Sequence, residues 1–350
     1  MSNETFVVSL ALVYFGFAVW AFKRLPQEGW QILASVPIVK DMSGRWHGLN
    51  FTYYGLLTAN ALLLACALLI VLFGSLKIPT GVTLALVFVL LLVCLPAAKW
   101  VARLVEGKHY TFTVAGAFFV GIFVAPPMLH IFNCMSRAGS FDGIPVLPAL
   151  AAFAIVSGFG EGLGRVACIS FGCCYGKPLE EVHPLLQRTF NRWNFVFSGK
   201  MKKIAYASGM EGTRVVPVQA LTSILYVTVS LLSTLLFLKS RYVLAFVLTI
   251  IVTQGWRTIS ETLRADHRGW GKITAYQIMG ILAIIYSIGL AVTLDNGKFV
   301  AAYLLSGISA LWQPEVVIFL QALWVVVFVF FGKSMVTGAE ISFHLYEDRI

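Results

Sequence analysis

Charged side chains are scarce in this chain: Asp, Glu, Lys and Arg make up 12% of its 350 residues, against roughly 25% in an ordinary soluble domain. The runs 56–72, 82–95 and 221–238 contain no charged residue at all. Such runs suit the apolar interior of a bilayer, which about 20 helical residues can cross. A water-soluble helix would carry a polar face. The sequence therefore argues against a soluble protein and predicts an integral membrane protein.

Several other features are also missing. The six cysteines, at 66, 94, 134, 168, 173 and 174, lack the paired spacing of a zinc site, and no disulfide framework is indicated. We therefore predict no metal and no cofactor. Residues 5–22 are apolar but have no basic residue before them, and Lys23 and Arg24 follow. This order predicts a retained helix rather than a signal peptide.

The net charge of +10 has a different meaning in a membrane protein than in a soluble one. Basic residues there gather in loops, where they set topology and attract anionic lipid headgroups, so no nucleic-acid partner is expected. The loops after the odd-numbered predicted helices hold 17 basic residues and the other loops hold 5. Taken alone, this asymmetry places the N-terminus outside and the longest polar loop inside.

The hydrophobic runs predict an all-α polytopic membrane protein with about nine spanning helices. A further apolar stretch, 299–312, is too short to span and is expected to be interfacial or re-entrant. Trp20, Trp30 and Trp46 favour the headgroup layer, and the polar segment 176–216 is expected to form a small extramembrane cap. The predicted spans are 5–22, 51–74, 80–98, 112–133, 146–170, 217–238, 242–262, 273–294 and 315–332.

Two predicted helices carry charges inside the membrane. In the segment 158–165, Glu161 and Arg165 are four residues apart with the acid first, which is the favourable order for pairing on one helix face. Glycines at 158, 160, 162 and 164 let another backbone or a ligand come close. In the segment 257–264, Arg257, Glu261 and Arg264 are expected along one face.

These buried charges allow two interpretations. Ionisable groups at this depth cost several kcal/mol unless they are paired or solvated, so they are candidates for function. Two Arg and two Glu could form a closed, neutral structural network. Alternatively, one or both of Arg165 and Arg257 bind a phosphate, since a guanidinium matches phosphate oxygens bidentately and stays charged in a poorly solvated site.

The sequence Gly172-Cys173-Cys174-Tyr175-Gly176 predicts a tight turn where the fifth helix leaves the membrane. A buried thiol pair is the simpler interpretation of Cys173 and Cys174. A nucleophilic or redox cysteine would need a nearby cation to lower its pKa. Among the histidines, His109 and His130 are the two that we would test as a catalytic base.

Taken together, these segments resemble the prolipoprotein diacylglyceryl transferase family. The resemblance covers about 51–294 and rests on the order of its motifs. These are Tyr54-Gly55-Leu56, Gly164-Arg165-Val166-Ala167-Cys168, the turn 172–176, Pro217-Val218-Gln219, Arg257 with Glu261 and Arg264, and Thr274 with Gln277.

The resemblance implies a seven-helix diacylglyceryl-transferase-like core with one extra N-terminal and one extra C-terminal helix. It divides the chain into an N-terminal helix and interfacial segment (1–50), a transferase-like membrane core (51–294) that includes the 176–216 cap, and a C-terminal helix and tail (295–350). It also places the cap end of the site on the periplasmic side, opposite to the charge count. The membrane would be the bacterial cytoplasmic (inner) membrane, crossed many times.

The resemblance further implies that phosphatidylglycerol donates a diacylglyceryl group to a cysteine thiol and that glycerol phosphate leaves. Carried over, Arg165 and Arg257 would hold the phosphate and stabilise the leaving charge, and Glu261 would orient an Arg. The catalytic residues would then be Arg165, Arg257, Glu261 and His109. The residues binding the substrate would be Tyr54, Glu161, Cys168, Cys173, Gly176 and Arg264.

The sequence also departs from the family pattern. The family's His-Gly-Gly should fall near Val114-Ala115-Gly116, where no His occurs, and Cys168 and Cys173 stand where the family has an Asn and an acid. The acceptor could therefore be a protein thiol or a hydroxyl on a glycan or small molecule. Two alternatives stay open: a non-catalytic phospholipid-binding or transport protein on the same scaffold, and a membrane thiol-redox protein using Cys173 and Cys174.

Overall fold

The computed structural model describes all 350 residues except 108–111, 137–142, 270, 272 and 295–299. Its helices in chain order are α1 (Asn3–Arg24), α2 (Tyr53–Ser75), α3 (Thr80–Glu106), α4 (Val114–Ser136), α5 (Val146–Phe171), α6 (Pro184–Phe190), α7 (Lys203–Ser208), α8 (Val218–Leu238), α9 (Tyr242–Ser260), α10 (Ala275–Leu294), α11 (Leu304–Leu311) and α12 (Pro314–Gly332). The strands are β1 (Ile32–Lys40), β2 (Trp46–Thr52), β3 (Phe195–Val196), β4 (Arg214–Val215) and β5 (Lys333–Ile341).

Nine helices in the described part of the chain are long and apolar enough to cross a membrane. They correspond to the nine predicted spans, so the prediction of an all-α polytopic membrane fold is confirmed. The largest difference is in α3, which continues to Glu106 rather than ending at 98. Lys99 and Arg103 continue the helix beyond the apolar run.

Helix α5 lies at the centre of the molecule and packs against α2, α8 and α9. Its glycines allow this close packing. A Cβ on Gly158 would lie 2.7 Å from Ser230 Oγ, and one on Gly162 would lie 2.8 Å from Val227 Cγ2. Small residues on a membrane helix let neighbouring backbones approach. The glycine-rich segment thus brings the two charges of α5 close to α8 and α9.

A three-stranded antiparallel sheet, in the order β1-β2-β5, was not predicted. Strand β2 runs directly into α2, and α12 runs directly into β5. The two helices meet where a Cβ on Gly55 would lie 2.1 Å from Gly332 Cα, and Thr52 Oγ1 donates to Gly332 O at 3.1 Å. The β2–β5 pairing joins segments nearly 300 residues apart, which no local pattern reports. Strands β1 and β2 form a local hairpin that the sequence analysis did not identify.

The connection between α5 and α8 contains α6, α7 and the β3–β4 pair. Backbone hydrogen bonds join the start of this connection to the residues that follow α9. Lys177 N donates to Leu263 O, and Ala265 N donates to Tyr175 O. The C-terminal ends of α5 and α9 therefore lie beside the N-terminal end of α8. Arg257, in the last turn of α9, is consequently close to Glu161 and Arg165 in the C-terminal half of α5.

The apolar stretch 299–312 is represented by the short helix α11. It packs on α2 so closely that a Cβ on Gly307 would lie 2.1 Å from Val71 O. The proposed division at residues 50 and 294, and the location of 176–216 outside the membrane, stay predictions. His109, predicted as a base, lies outside the described residues.

Candidate functional site

Glu161 is the centre of a buried ion cluster that joins α5 to α9. Its Oε1 accepts from Arg165 Nη2 at 2.5 Å, and its Oε2 accepts from Arg257 Nη2 at 2.5 Å. The side chains of Glu161 and Arg257 are each only 5% exposed. The i,i+4 spacing on α5 produces the first pair, and the α5–α9 packing produces the second. The sequence predicted these residues as candidates, but not that one carboxylate serves both guanidiniums.

This Glu161 cluster, defined as Glu161, Arg165 and Arg257, has one more positive than negative charge. Arg257 also donates from Nε to Gln254 Oε1 at 3.1 Å. The Nε of Arg165 is buried and has no hydrogen-bond partner in the described part of the chain. A buried donor without an acceptor is costly, so the cluster has both the charge and a donor to receive an anionic oxygen.

A narrow cavity opens beside the Glu161 cluster. Its volume of about 10 Å³ is close to that of one water molecule, so a phosphate would require side chains to move apart. The side-chain amide of Gln219 at its wall donates to Cys173 O at 2.9 Å. Gln219 Oε1 is buried and has no partner among the described residues. The cavity is lined by Arg165, Cys174, Val218, Gln219, Thr222, Tyr226, Arg257, Ser260, Glu261 and Arg264.

A second ion cluster lies where α9 ends. We define this Glu261 cluster as Glu261, Arg264, Asp266, Arg268 and Glu106. Arg268 donates to Glu261 at 3.0 Å and to Glu106 at 2.9 Å, and Arg264 makes a bidentate contact with Asp266 at 2.8 and 2.6 Å. Helix α9 ends at Ser260, so Arg257, Glu261 and Arg264 do not share one helix face as expected.

The Glu261 cluster includes a cation, Arg268, that the sequence analysis did not single out. Glu261 was expected to orient an Arg, and its contacts are with Arg264 at 3.5 Å and Arg268 at 3.0 Å. Arg268 also stacks over the ring of Tyr276 at 4.0 Å. Arg268, Asp266 and Glu106 were not singled out from the sequence. They lie at predicted loop positions, where charge is ordinary and gives no signal of burial.

The turn after α5 brings three thiols together. The Sγ atoms of Cys168, Cys173 and Cys174 all lie within 4.8 Å of one another. Gly172 (φ 72°) and Cys174 (φ 58°) both have left-handed backbones, which fold the chain back over the last turn of α5. The pKa of Cys174 is lowered because the thiols of Cys168 and Cys173 hydrogen-bond to it and the guanidiniums of Arg264 and Arg165 are close.

The remaining expected site residues lie at the same end of the helices. The ring of Tyr54, at the start of α2, packs on Phe171 with centroids 5.4 Å apart. Gly176 pairs in a β-bridge with Arg264, and a Cβ there would lie 2.3 Å from Val216 O. Gly176 thus permits a close approach between backbones. Among the residues that the structure describes, the expected catalytic and substrate-binding residues all lie at one end of the helix bundle.

Lys202 is a fully buried cation that the sequence did not indicate. Its Nζ donates to Leu25 O at 3.1 Å and to Ser170 O at 2.7 Å, so it ties the ends of α1 and α5 to the cap. Burial lowers the pKa of Lys202 to about 8. It was read as part of an exposed basic loop, which is the ordinary place for a lysine.

Comparison with known proteins gives one informative result. The sequence profile of the family described as prolipoprotein diacylglyceryl transferase matches residues 44–293, which is more than two thirds of the chain and contains both ion clusters and the cysteine turn. No curated protein matches the chain at a significant level.

Proposed function

Because the chain belongs to the prolipoprotein diacylglyceryl transferase family, we propose that it moves a diacylglyceryl or related group from an anionic phospholipid to an acceptor nucleophile. The family, together with nine apolar helices among the described residues, makes it a multi-pass membrane protein of a transferase family. The finer parts of the proposal are the donor, phosphatidylglycerol, the acceptor, and the location in a bacterial inner membrane.

The observation that carries the proposal is the excess positive charge of the Glu161 cluster. Arg165 and Arg257 share one carboxylate, and the Nε of Arg165 has no acceptor in the described residues. Both guanidiniums line the cavity. A phosphodiester carries one negative charge, so its entry would balance the cluster, and its oxygens would accept from the guanidinium donors.

The same arrangement would assist the transfer itself. In the proposed reaction, the acceptor's thiol or hydroxyl gives its proton to a base and forms a new bond to the diacylglyceryl carbon. The bond between that carbon and the phosphate oxygen breaks. Glycerol phosphate leaves with the electron pair and gains negative charge. Guanidiniums held in a buried site stabilise such developing charge more strongly than water does, and confinement of both reactants to the membrane contributes through proximity.

The remaining site residues receive supporting roles in this proposal. Tyr54 would line the lipid site. Cys168, Cys173 and Gly176 belong to the turn that closes it, and Arg264 borders the cavity beside Glu261. The acceptor would be a protein thiol or a hydroxyl of a glycan or small molecule. His109 keeps its predicted role as a base.

A second candidate function is phospholipid binding or transport without chemistry. It is favoured by the sequence at Val114-Ala115-Gly116, the start of α4, where no histidine occurs although the family pattern calls for one. Binding through Arg165 and Arg257 would be the same in both functions. They differ in whether glycerol phosphate is released.

Quantitative lipid analysis of cells with the protein, without it, and with Arg257→Ala tests the proposal. We expect a lipid-linked product that is lost without the protein and falls at least about 100-fold in the variant, the usual effect of removing one group that stabilises transition-state charge. Arg188→Ala, an exposed arginine of α6, is the matched control. Unchanged lipid and lipoprotein profiles would favour binding or transport.

A further inference from the structure

The side chains of three of the six cysteines lie close together, although no paired spacing in the sequence predicts this. Cys168 lies in the last turn of α5, and Cys173 and Cys174 lie in the turn that follows. Their sulfur atoms all lie within 4.8 Å of one another. Sulfurs bound to one Zn²⁺ at 2.3 Å are about 3.8–4.0 Å apart, so small side-chain rotations would bring all three onto a shared ion.

The backbone of the cysteine turn is fixed by contacts from several directions. Cys173 N donates to Cys168 O at 3.1 Å, and Cys173 O accepts from Gln219 at 2.9 Å. Ile204 N donates to Gly172 O at 3.0 Å. Metal sites depend on such supporting contacts to orient their ligands. The three thiols are therefore held in place before any ligand arrives.

The backbone of Cys174 supplies an independent observation. Its φ of 58° lies in the left-handed region, where a residue with a Cβ is strained, typically by about 1–2 kcal/mol. Glycine would relieve the strain, and the turn already has glycines at 172 and 176. A strained side chain aimed into a cluster of like groups is an arrangement found at ligand sites.

Cationic side chains lie around the three thiols. Arg264 and Arg165 interact electrostatically with Cys174, and Lys203 interacts with both Cys173 and Cys174. A thiolate is the form that ligates metal, and a neighbouring cation stabilises its negative charge by electrostatic attraction. Three thiolates around a divalent ion leave one negative charge, and Arg165 and Lys203 are cations beside it. Soft thiolate ligands select Zn²⁺ or Cu⁺ over hard cations.

We propose that Cys168, Cys173 and Cys174 form a three-thiolate site for a thiophilic d¹⁰ metal ion, either Zn²⁺ or Cu⁺. The ion lies at the wall of the cavity beside the Glu161 cluster, since Cys174 also lines that cavity. Three protein ligands leave a fourth tetrahedral position open in the case of Zn²⁺. The site stands independently of the proposed transfer reaction, because metal binding can be measured without donor or acceptor.

Metal content of the full-length protein in detergent tests the site. The reduced protein is incubated with Zn²⁺ or, without oxygen, with Cu⁺, freed of unbound metal, and analysed by elemental mass spectrometry. We expect roughly one ion per chain of one of the two metals. Binding should be lost in Cys174→Ser and kept in the matched control with Cys66→Ser, Cys94→Ser and Cys134→Ser, which replaces the cysteines outside the cluster.

A spectroscopic measurement keeps the proposal testable if Cys174→Ser does not fold. Co²⁺ bound to the native protein should give thiolate-to-metal charge-transfer absorption, and Cys168→Ser should reduce its intensity. Because Co²⁺ substitutes for Zn²⁺ and not for Cu⁺, absence of that absorption together with absence of bound Cu⁺ would overturn the proposal. Equal metal content in the native protein and in a folded cluster variant would also overturn it. A native disulfide between two of the three cysteines, detected as protection from alkylation, would also overturn it and favour a thiol-redox role.

Discussion

The two ion clusters of this protein are built from the same residue types but differ in charge balance. The Glu161 cluster has two guanidiniums for one carboxylate, whereas the Glu261 cluster has two guanidiniums for three carboxylates. Their sum is neutral, which agrees with the structural interpretation of buried charge. Their distribution does not, because positive charge and an unpaired Arg165 donor lie on the side of α5 and α8. The summed charge of the two clusters therefore does not distinguish a binding site from a structural network.

Replacement of the shared carboxylate should have the largest effect on stability. Glu161→Gln leaves Arg165 and Arg257 side by side in a buried site, and we expect a loss of roughly 3–5 kcal/mol, as for other broken buried pairs. Thermal unfolding in neutral detergent measures it. If the cluster binds anionic lipid, phosphatidylglycerol should restore stability, and phosphatidylcholine should not. Equal thermal unfolding curves of the variant in phosphatidylglycerol and in phosphatidylcholine would contradict the assignment of this cluster as an anion site.

The matching change in the second cluster should behave differently. Arg268→Gln removes a cation that contacts both Glu261 and Glu106, and its side chain is 14% exposed. We expect a loss of roughly 3 kcal/mol, the lower end of the range for buried pairs. Phosphatidylglycerol should give no recovery, since the change leaves excess negative charge. Recovery with this lipid, in the same unfolding assay, would show that the two clusters act as one site.

Much of this comparison could be anticipated from the sequence, because it rests on local patterns. The i,i+4 spacing of Glu161 and Arg165 placed them on one face of α5, and the apolar runs placed the nine helices. The pairing of Glu161 with Arg257 could not be anticipated, since it depends on how α9 packs against α5. The same applies to Arg268, whose partner Glu106 is 162 residues away.

The cysteine turn illustrates a different limit of sequence reasoning. Gly172 and Gly176 indicated a turn, but the convergence of Cys168 with Cys173 and Cys174 depends on left-handed backbone at two positions. Glycine permits that conformation and so could be anticipated at 172. Cysteine disfavours it, so Cys174 gave no such signal.

Two glycines of α5 differ in how closely neighbouring helices pack against them. A Cβ on Gly162 would lie 2.8 Å from Val227 Cγ2 and 3.1 Å from Val227 N, whereas a Cβ on Gly164 would meet nothing within 4 Å. Gly162→Ala should therefore reduce stability by roughly 1–3 kcal/mol through overpacking. Gly164→Ala, the matched control, should leave thermal stability unchanged or slightly raised, because alanine favours helix. Equal destabilisation by both would contradict the α5–α8 packing.

Lys202 is a buried cation that can be compared with the arginines of the two ion clusters. Among the described residues, its ammonium donates hydrogen bonds to carbonyl oxygens and not to a carboxylate. Burial lowers its pKa from an ordinary 10.5 to about 8. Below pH 8 it is protonated in both the folded and unfolded states, so the cost of burying the charge is present in full. Between about pH 8 and 10.5 the folded state loses this proton first. The unfolded state then binds more protons, and stability rises with pH.

Lys202→Met should abolish this rise, which is at most about 1.4 kcal/mol per pH unit for a single group. The informative quantity is the difference in unfolding temperature between the native protein and the variant, measured at pH values on both sides of 8, because other titrating groups cancel in that difference. The unfolding temperature of the native protein should rise relative to that of the variant as pH increases. Parallel curves would mean that Lys202 stays charged in the folded state, as the arginines of the two ion clusters do, and that its two carbonyl contacts suffice to hold a buried ammonium without a carboxylate.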